Sequence, residues 1–198
     1  MAELDPADTI VGVVLELLES GGPDAVQLRE VARRAHVSLT TIYKLFATRD
    51  ELIIVAMEHW MSAHICAPVP PPAQDESLYD GLMRVFRHVF EPWERSPRML
   101  ESFDRARSAP GGQRLDRQAM NTIAPVALAL LADGDPTYVD DISMILTNLA
   151  YAMVGQFADG TLDATDILPT LERAVYRLTT NNAPAAEATR TRRVRTRR

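Results

Sequence analysis

The stretch Gln27 to Glu51, QLREVARRAHVSLTTIYKLFATRDE, constrains this chain more than any other, because it reads as two short helices around a tight reversal. Leu28, Val31, Ala32 and Ala35 fall at helical spacing and give the first helix a single apolar face. His36 stands where that helix must reverse, Val37 can plug the gap, and Ser38 is a good N-cap for the second helix. The second helix, predicted over about Leu39 to Phe46, puts Leu39, Ile42 and Phe46 inside and leaves Thr40, Thr41, Tyr43 and Lys44 outside. Such a helix is about 12 Å long and fits a DNA major groove about 12 Å wide. The layout is that of a helix-turn-helix, whose second helix reads base edges while the first crosses the backbone.

Within it, VARRAHVSLTTIYKLFATRDEL resembles the signature of the TetR/AcrR family of one-component bacterial transcriptional regulators. In that pattern an alanine-containing helix leads through a turn to a Tyr-x-x-Phe helix, followed by a capped fourth helix. The chain departs from it at three places: His36 stands where glycine is usual, Gln27 where a threonine commonly caps, and Arg49 where lysine is usual. Histidine has a modest tolerance for the left-handed backbone region, so the first departure is compatible with the same turn.

A net charge of −6 argues against DNA binding until it is partitioned. Residues 1–182 carry 15 Lys+Arg against 26 Asp+Glu, whereas residues 183–198 carry six arginines and one glutamate. Inside the acidic body, residues 27–50 hold Arg29, Arg33, Arg34, Lys44 and Arg49 against Glu30 and Asp50. Attraction to phosphate decays over a Debye length of about 8 Å, so the local excess is what counts.

The remaining pattern is helical throughout. Asp5-Pro6 is a helix start, with Ile10, Val11, Val14, Leu17 and Leu18 forming a stripe that stops at Gly21-Gly22-Pro23. A fourth helix begins near Thr48, with Asp50 and Glu51 complementing its dipole, and runs towards Cys66. The run Pro68 to Pro72 reads as a linker. Beyond it come a stripe from Leu78 to Trp93 broken around Pro92 and Pro97, a short helix Met99 to Ala106, and one from about Arg114 to Ala132 with a kink expected at Pro125. A long helix carrying Val139 to Phe157 and a last one from near Asp166 follow. No segment alternates as a strand, which predicts an all-α fold of roughly nine helices. The predicted division is a DNA-binding unit with its fourth helix over residues 1–67, a second helical unit over 73–182, and a disordered Arg-rich tail over 183–198, which could alternatively act as a phosphate-binding arm.

The predicted DNA-facing set is Gln27, Arg29, Ser38, Leu39, Thr40, Thr41, Tyr43, Lys44, Thr48 and Arg49. Thr40 and Thr41 can hydrogen-bond bases or pack their methyls on thymine. Thr48 and Arg49 would bring the fourth helix's N-terminus to a phosphate, where free N–H groups and the dipole favour an anion. The resemblance implies that Tyr43 donates to a phosphate and that Lys44 lies near the backbone or a guanine edge. It also implies that the second unit binds a ligand and dimerises, so that two reading helices reach half-sites of a palindromic double-stranded operator about 34–36 Å apart. On the last two helices the stripe Ile142, Leu146, Leu149, Met153, Leu171, Val175 and Leu178 is the expected homodimer interface. Met83, Phe86, Phe90, Trp93, Met99, Phe103, Met120 and Ile123 form a Met- and aromatic-rich set that reads either as plain core or as the wall of a pocket for a small lipophilic effector. This middle region resembles regulators of steroid or lipid catabolism within the family.

Enzyme motifs for nucleophilic, P-loop or zinc-dependent chemistry are missing from the sequence, and no cofactor or metal is expected. His59 and His64 are five apart and do not stack on one helix face, and Asp140-Asp141 is explained by a helix start. Cys66, the one cysteine, cannot form an internal disulfide, and the acidic N-terminus lacks a signal-peptide pattern, so a cytoplasmic protein without a membrane span is expected. The leading reading is a sequence-specific transcriptional repressor released by a lipophile. A helical protein–protein interaction module without DNA activity, or an activator of the same design, stays open at this point.

Overall fold

The computed structural model describes residues 5–73, 75–132 and 134–182, so the Arg-rich segment 183–198 lies outside the described residues. Among the described residues there are nine α-helices and no strand. They are α1 (Pro6–Gly21), α2 (Leu28–Arg34), α3 (Leu39–Leu45), α4 (Arg49–His64), α5 (Leu78–Arg95), α6 (Pro97–Ser108), α7 (Gln113–Leu130), α8 (Pro136–Ala158) and α9 (Ala164–Thr179), with a 3-10 turn at Pro23–Ala25. No described helix is long and apolar enough to cross a membrane.

The helix starts follow from local side-chain chemistry. Asp5 Oδ1 accepts from the Ala7 N–H at 2.9 Å, Ser77 Oγ from Asp80 at 3.1 Å, and the Asp135 carboxylate from Tyr138 at 3.1 Å. Each satisfies one of the orphan donors of a first turn. Prolines interrupt less than the sequence suggests. Pro97 is the first residue of α6, α5 continues through a buried Pro92 to Arg95, and α7 is helical on both sides of Pro125.

The core does not divide at the proline linker. One cluster of buried apolar residues runs from Ile10, Val14 and Leu18 of α1 through Leu52 and Met57 of α4 to Met99 and Leu100 of α6 and Leu171 of α9. A smaller cluster centres on Leu82, Met83, Ile142, Leu146 and Val175, where α5, α8 and α9 meet. The linker itself is pinned to α5. His88 Nε2 lies 3.1 and 3.0 Å from the carbonyl oxygens of Ile65 and Ala67, and Arg84 donates to Pro70 O at 2.7 Å while pairing with Glu76. The reading helices and the second unit therefore share one packed body.

The apolar stripe expected at a subunit interface is instead covered within the single chain. Ile142, Leu146, Met153, Leu171 and Val175 are buried in its core, and Leu149 and Leu178 are half-buried against it. The periodicity located an apolar face correctly but could not say which neighbour covers it. The large apolar side chains that α8 and α9 leave outside are Met144 (59% exposed), Ile145 (42%) and Tyr176 (55%).

Candidate nucleic-acid interface and effector cavity

The reversal between α2 and α3 is a Schellman motif. Ala35 caps α2, His36 takes φ 53°, and the Val37 N–H reaches back to Ala32 O at 3.0 Å. The left-handed residue of that motif is usually glycine; here it is histidine, with an exposed side chain. Val37 then folds onto the core beside Ala32. Ser38 caps α3 by accepting from the Thr41 N–H at 3.0 Å, and its hydroxyl also lies 2.9 Å from the Thr41 hydroxyl.

On α3, Ile42 is buried and Phe46, its C-cap, packs beneath, so this helix is held by one edge. Thr40, Tyr43 and Lys44 are exposed, Tyr43 at 58%, and so is Leu45, which sequence reasoning left out of the set. Gln27, Arg29, Ser38 and Thr48 are exposed as well. Leu39 is half-buried and packs against the core, and Thr41 is half-buried and engaged with Ser38. Thr48 Oγ1 accepts from the Glu51 N–H at 3.0 Å while Glu51 Oε2 accepts from the Ala47 N–H at 2.7 Å, a reciprocal cap that fixes the start of α4.

Arg49 departs from the expectation that it faces a phosphate. Its guanidinium donates to Val26 O at 2.7 Å and to Pro23 O, binding the start of α4 to the connection between α1 and α2. Arg33 and Arg34 are also engaged, both with Glu30, at 2.7 and 2.6 Å. Their hydrogen bonds hold the Glu30 carboxyl at about 2, well below its ordinary value. Among the described residues, Arg29 and Lys44 are the cations of the motif left without an ion-pair partner. Of the five cations counted from sequence, two are free, two are tied to one carboxylate, and Arg49 is turned onto backbone carbonyls.

Behind this surface lies a cavity of about 370 Å³, within the range of sites for small organic molecules. Phe86, Phe90, Trp93, Phe103, Met120 and Ile123 from the predicted set line it, together with Met61 of α4 and Ile65, its C-cap. Met83 and Met99 do not, because both are fully packed in the core: Met83 in the cluster of α5, α8 and α9, Met99 in the larger cluster. The polar side chains on the wall, Asp116, Ser143, Thr147 and Tyr151, were not anticipated. Ser143, Thr147 and Tyr151 sit four residues apart on α8, a spacing that would have put them on one helix face had the face been known to look inward.

The corner between α6 and α7 places Asp116. A Cβ on Gly112 would collide with the carbonyl oxygens of Ala106 and Arg107, so glycine lets α7 start directly against the end of α6. Arg107 Nε then stands 3.3 Å from Asp116 Oδ1, with its guanidinium carbon 4.7 Å from the Tyr151 ring centroid. Burial, then the negative charge of Asp116, pushes the Tyr151 phenol above its usual pKa, and burial likewise raises Asp104. From α7, Gln118 Nε2 donates to Glu58 O at 3.0 Å and to Ser62 Oγ at 2.8 Å, and Arg114 pairs with Glu58 at 2.8 Å. These contacts join the cavity wall to α4, whose first turn supports the reading helix.

Comparison with known proteins agrees with this geometry. Residues 10–56 match the family model for bacterial regulatory proteins of the tetR family, and residues 76–178 match that of the tetracyclin repressor-like C-terminal domain. Similar proteins include the HTH-type transcriptional repressors KstR of Mycobacterium tuberculosis (22% identical, covering 88% of this chain and 80% of that protein) and Mycolicibacterium smegmatis (23%, covering 88% and 87%). The KstR of Rhodococcus jostii is 26% identical over 53% of this chain, a match that spans about half (49%) of that protein. A crystal structure of a TetR transcriptional regulator from Rhodococcus sp. RHA1 shares the fold, with a TM-score of 0.63 at 21% identity over 92% of this chain and 100% of that one.

Proposed function

The chain belongs to the TetR family of bacterial regulatory proteins and is a DNA-binding transcriptional regulator, and we propose that it is a homodimeric repressor released from its operator by a small lipophilic ligand. The observation that carries this reading is the placement of Met61 and Ile65. Met61 lies in the last turn of α4, the helix behind the reading head, Ile65 caps that helix, and both also form part of the cavity wall. A ligand filling the cavity must push on the element that sets the position of α3. Release then requires that the ligand bind the displaced arrangement of α4 better than the DNA-bound one, since only differential affinity shifts such an equilibrium.

Tyr43, Lys44 and Arg29 serve as phosphate contacts, and Thr40 and the Leu45 side chain address base edges and thymine methyls. The repressor sign rests on the similarity to the KstR transcriptional repressors. The second copy is expected to dock on the outward face of α8 and α9 that carries Met144, Ile145 and Tyr176, an apolar surface at the end remote in sequence from the reading helices. Footprinting of the DNA upstream of the chain's own gene tests the proposal: two protected half-sites related by a two-fold axis, about one helical turn apart, are expected. Protection of a single, unpaired site would rule the dimer out.

A further inference from the structure

The cavity is apolar along most of its wall, but the polar groups on it are not placed at random. Ser143, Thr147 and Tyr151 follow one face of α8 over about 12 Å. At the Tyr151 end stands Asp116, the charged group of the wall among the described residues. Asp116 Oδ1 is buried and takes no hydrogen bond from the described protein atoms. Arg107 approaches it at 3.3 Å without the alignment of a hydrogen bond, and that guanidinium is already engaged. It lies 3.7 Å from Asp104 and stacks near the rings of Phe103 and Tyr151, at 6.0 and 4.7 Å. The far end of the cavity therefore offers an acceptor rather than a cation.

Resting on the reading of this cavity as the effector site, we infer that it takes an elongated lipophile ending in a hydrogen-bond donor, a hydroxyl or amino group seated on Asp116, and rejects the matching carboxylic acid. A donor satisfies the buried Oδ1, which otherwise carries the cost of an unmade hydrogen bond. A carboxylate at the same place meets Asp116 and, behind it, Asp104, with Arg107 already shared between them. The uncharged remainder of the ligand lies along Phe86, Phe90 and Ile123, where it replaces water at an apolar wall.

The chain supplies its own reporter. Trp93 lines the cavity and packs tilted against Trp60 with ring centroids 4.4 Å apart, and these are its two tryptophans. Intrinsic fluorescence of the full chain at neutral pH is titrated with decanol, decylamine and decanoic acid, each below its aggregation limit. Decanol and decylamine are expected to change the emission saturably, with decanoate at least tenfold weaker. In Asp116→Asn, which keeps size and an acceptor oxygen but removes the charge, the gap between decanol and decanoate should fall to about twofold. Tyr151→Phe should keep most of it. Decanoate binding as tightly as decanol to the wild-type chain overturns the head-group assignment while leaving the cavity as an effector site. A gap unchanged in Asp116→Asn overturns it too. Failure of all three probes to bind overturns both the assignment and the reading of the cavity beneath it.

Discussion

Replacing Arg49 by methionine separates two accounts of the same residue. In the structure its guanidinium donates to Val26 O and Pro23 O, and its side chain is one-third exposed. Methionine keeps much of the aliphatic stem and removes every donor and the charge. A hydrogen bond from a charged donor contributes about 1.5–3 kcal/mol. Pro23 O keeps the Val26 N–H at 3.3 Å, so most of the loss falls at Val26 O, in a residue that is fully buried. The expected destabilisation is therefore about 2–3 kcal/mol, or a fall in Tm on the order of 10 °C for a chain of this size. Urea unfolding followed by circular dichroism gives the first number and a thermal scan the second. The second half of the test is the salt dependence of operator binding, measured where both proteins are folded. A lost phosphate contact lowers the slope of log K against log salt by about 0.9 per protomer. A lost internal clamp leaves the slope unchanged. Wild-type stability with a reduced slope would refute the clamp and restore Arg49 to the DNA surface.

Other perturbations have equally definite outcomes. His36→Gly relieves a left-handed L-residue, about 1–2 kcal/mol, against about 0.5–1 kcal/mol of added chain entropy; a Tm higher by a few degrees is expected, and a lower one would show that the imidazole makes a stabilising contact. Glu30→Gln frees Arg33 and Arg34 and should tighten DNA binding at low salt with a steeper salt slope, read by fluorescence anisotropy; weaker binding would show that the pair positions α2. For Glu30 itself the folded pKa is depressed, so its pairing is complete above the ordinary carboxylate range and is lost only as pH falls towards about 2, which an NMR titration of its carboxyl carbon can follow. Tyr43→Phe and Lys44→Ala should each weaken operator binding several-fold without a change in Tm; unchanged affinity in both removes α3 as the reading helix. Gln118→Leu breaks the bonds to Glu58 and Ser62 and should leave DNA affinity near wild type while blunting ligand-induced release.

What the sequence could tell followed the range of the interactions concerned. The helix-turn-helix was legible because its determinants are local: Ser38 and Thr48 cap helices within three residues of themselves, and the apolar face of α2 repeats at helical spacing. Even the departure at His36 pointed to its left-handed turn. The inward hydrogen bonds of Arg49 were not legible because its partners lie 23 and 26 residues upstream, where no short-range pattern reaches. The pairing of Glu30 with Arg33 and Arg34, though local, takes two of the five counted cations out of the free set. On α8 two faces carry apolar residues, and periodicity cannot tell the one buried against α9 from the one bearing Met144 and Ile145. Asp116 was invisible as a wall residue because only the corner at Gly112 turns it towards Tyr151.

That α3 reads a specific DNA sequence from an otherwise acidic protein can be decided by titrating the full chain against DNA upstream of its own gene at two salt concentrations, beside a scrambled fragment of equal length. A saturable complex with the upstream fragment is expected, weakening at the higher salt and persisting against excess scrambled DNA. Equal affinity for both fragments, or no complex at either salt concentration, would contradict it.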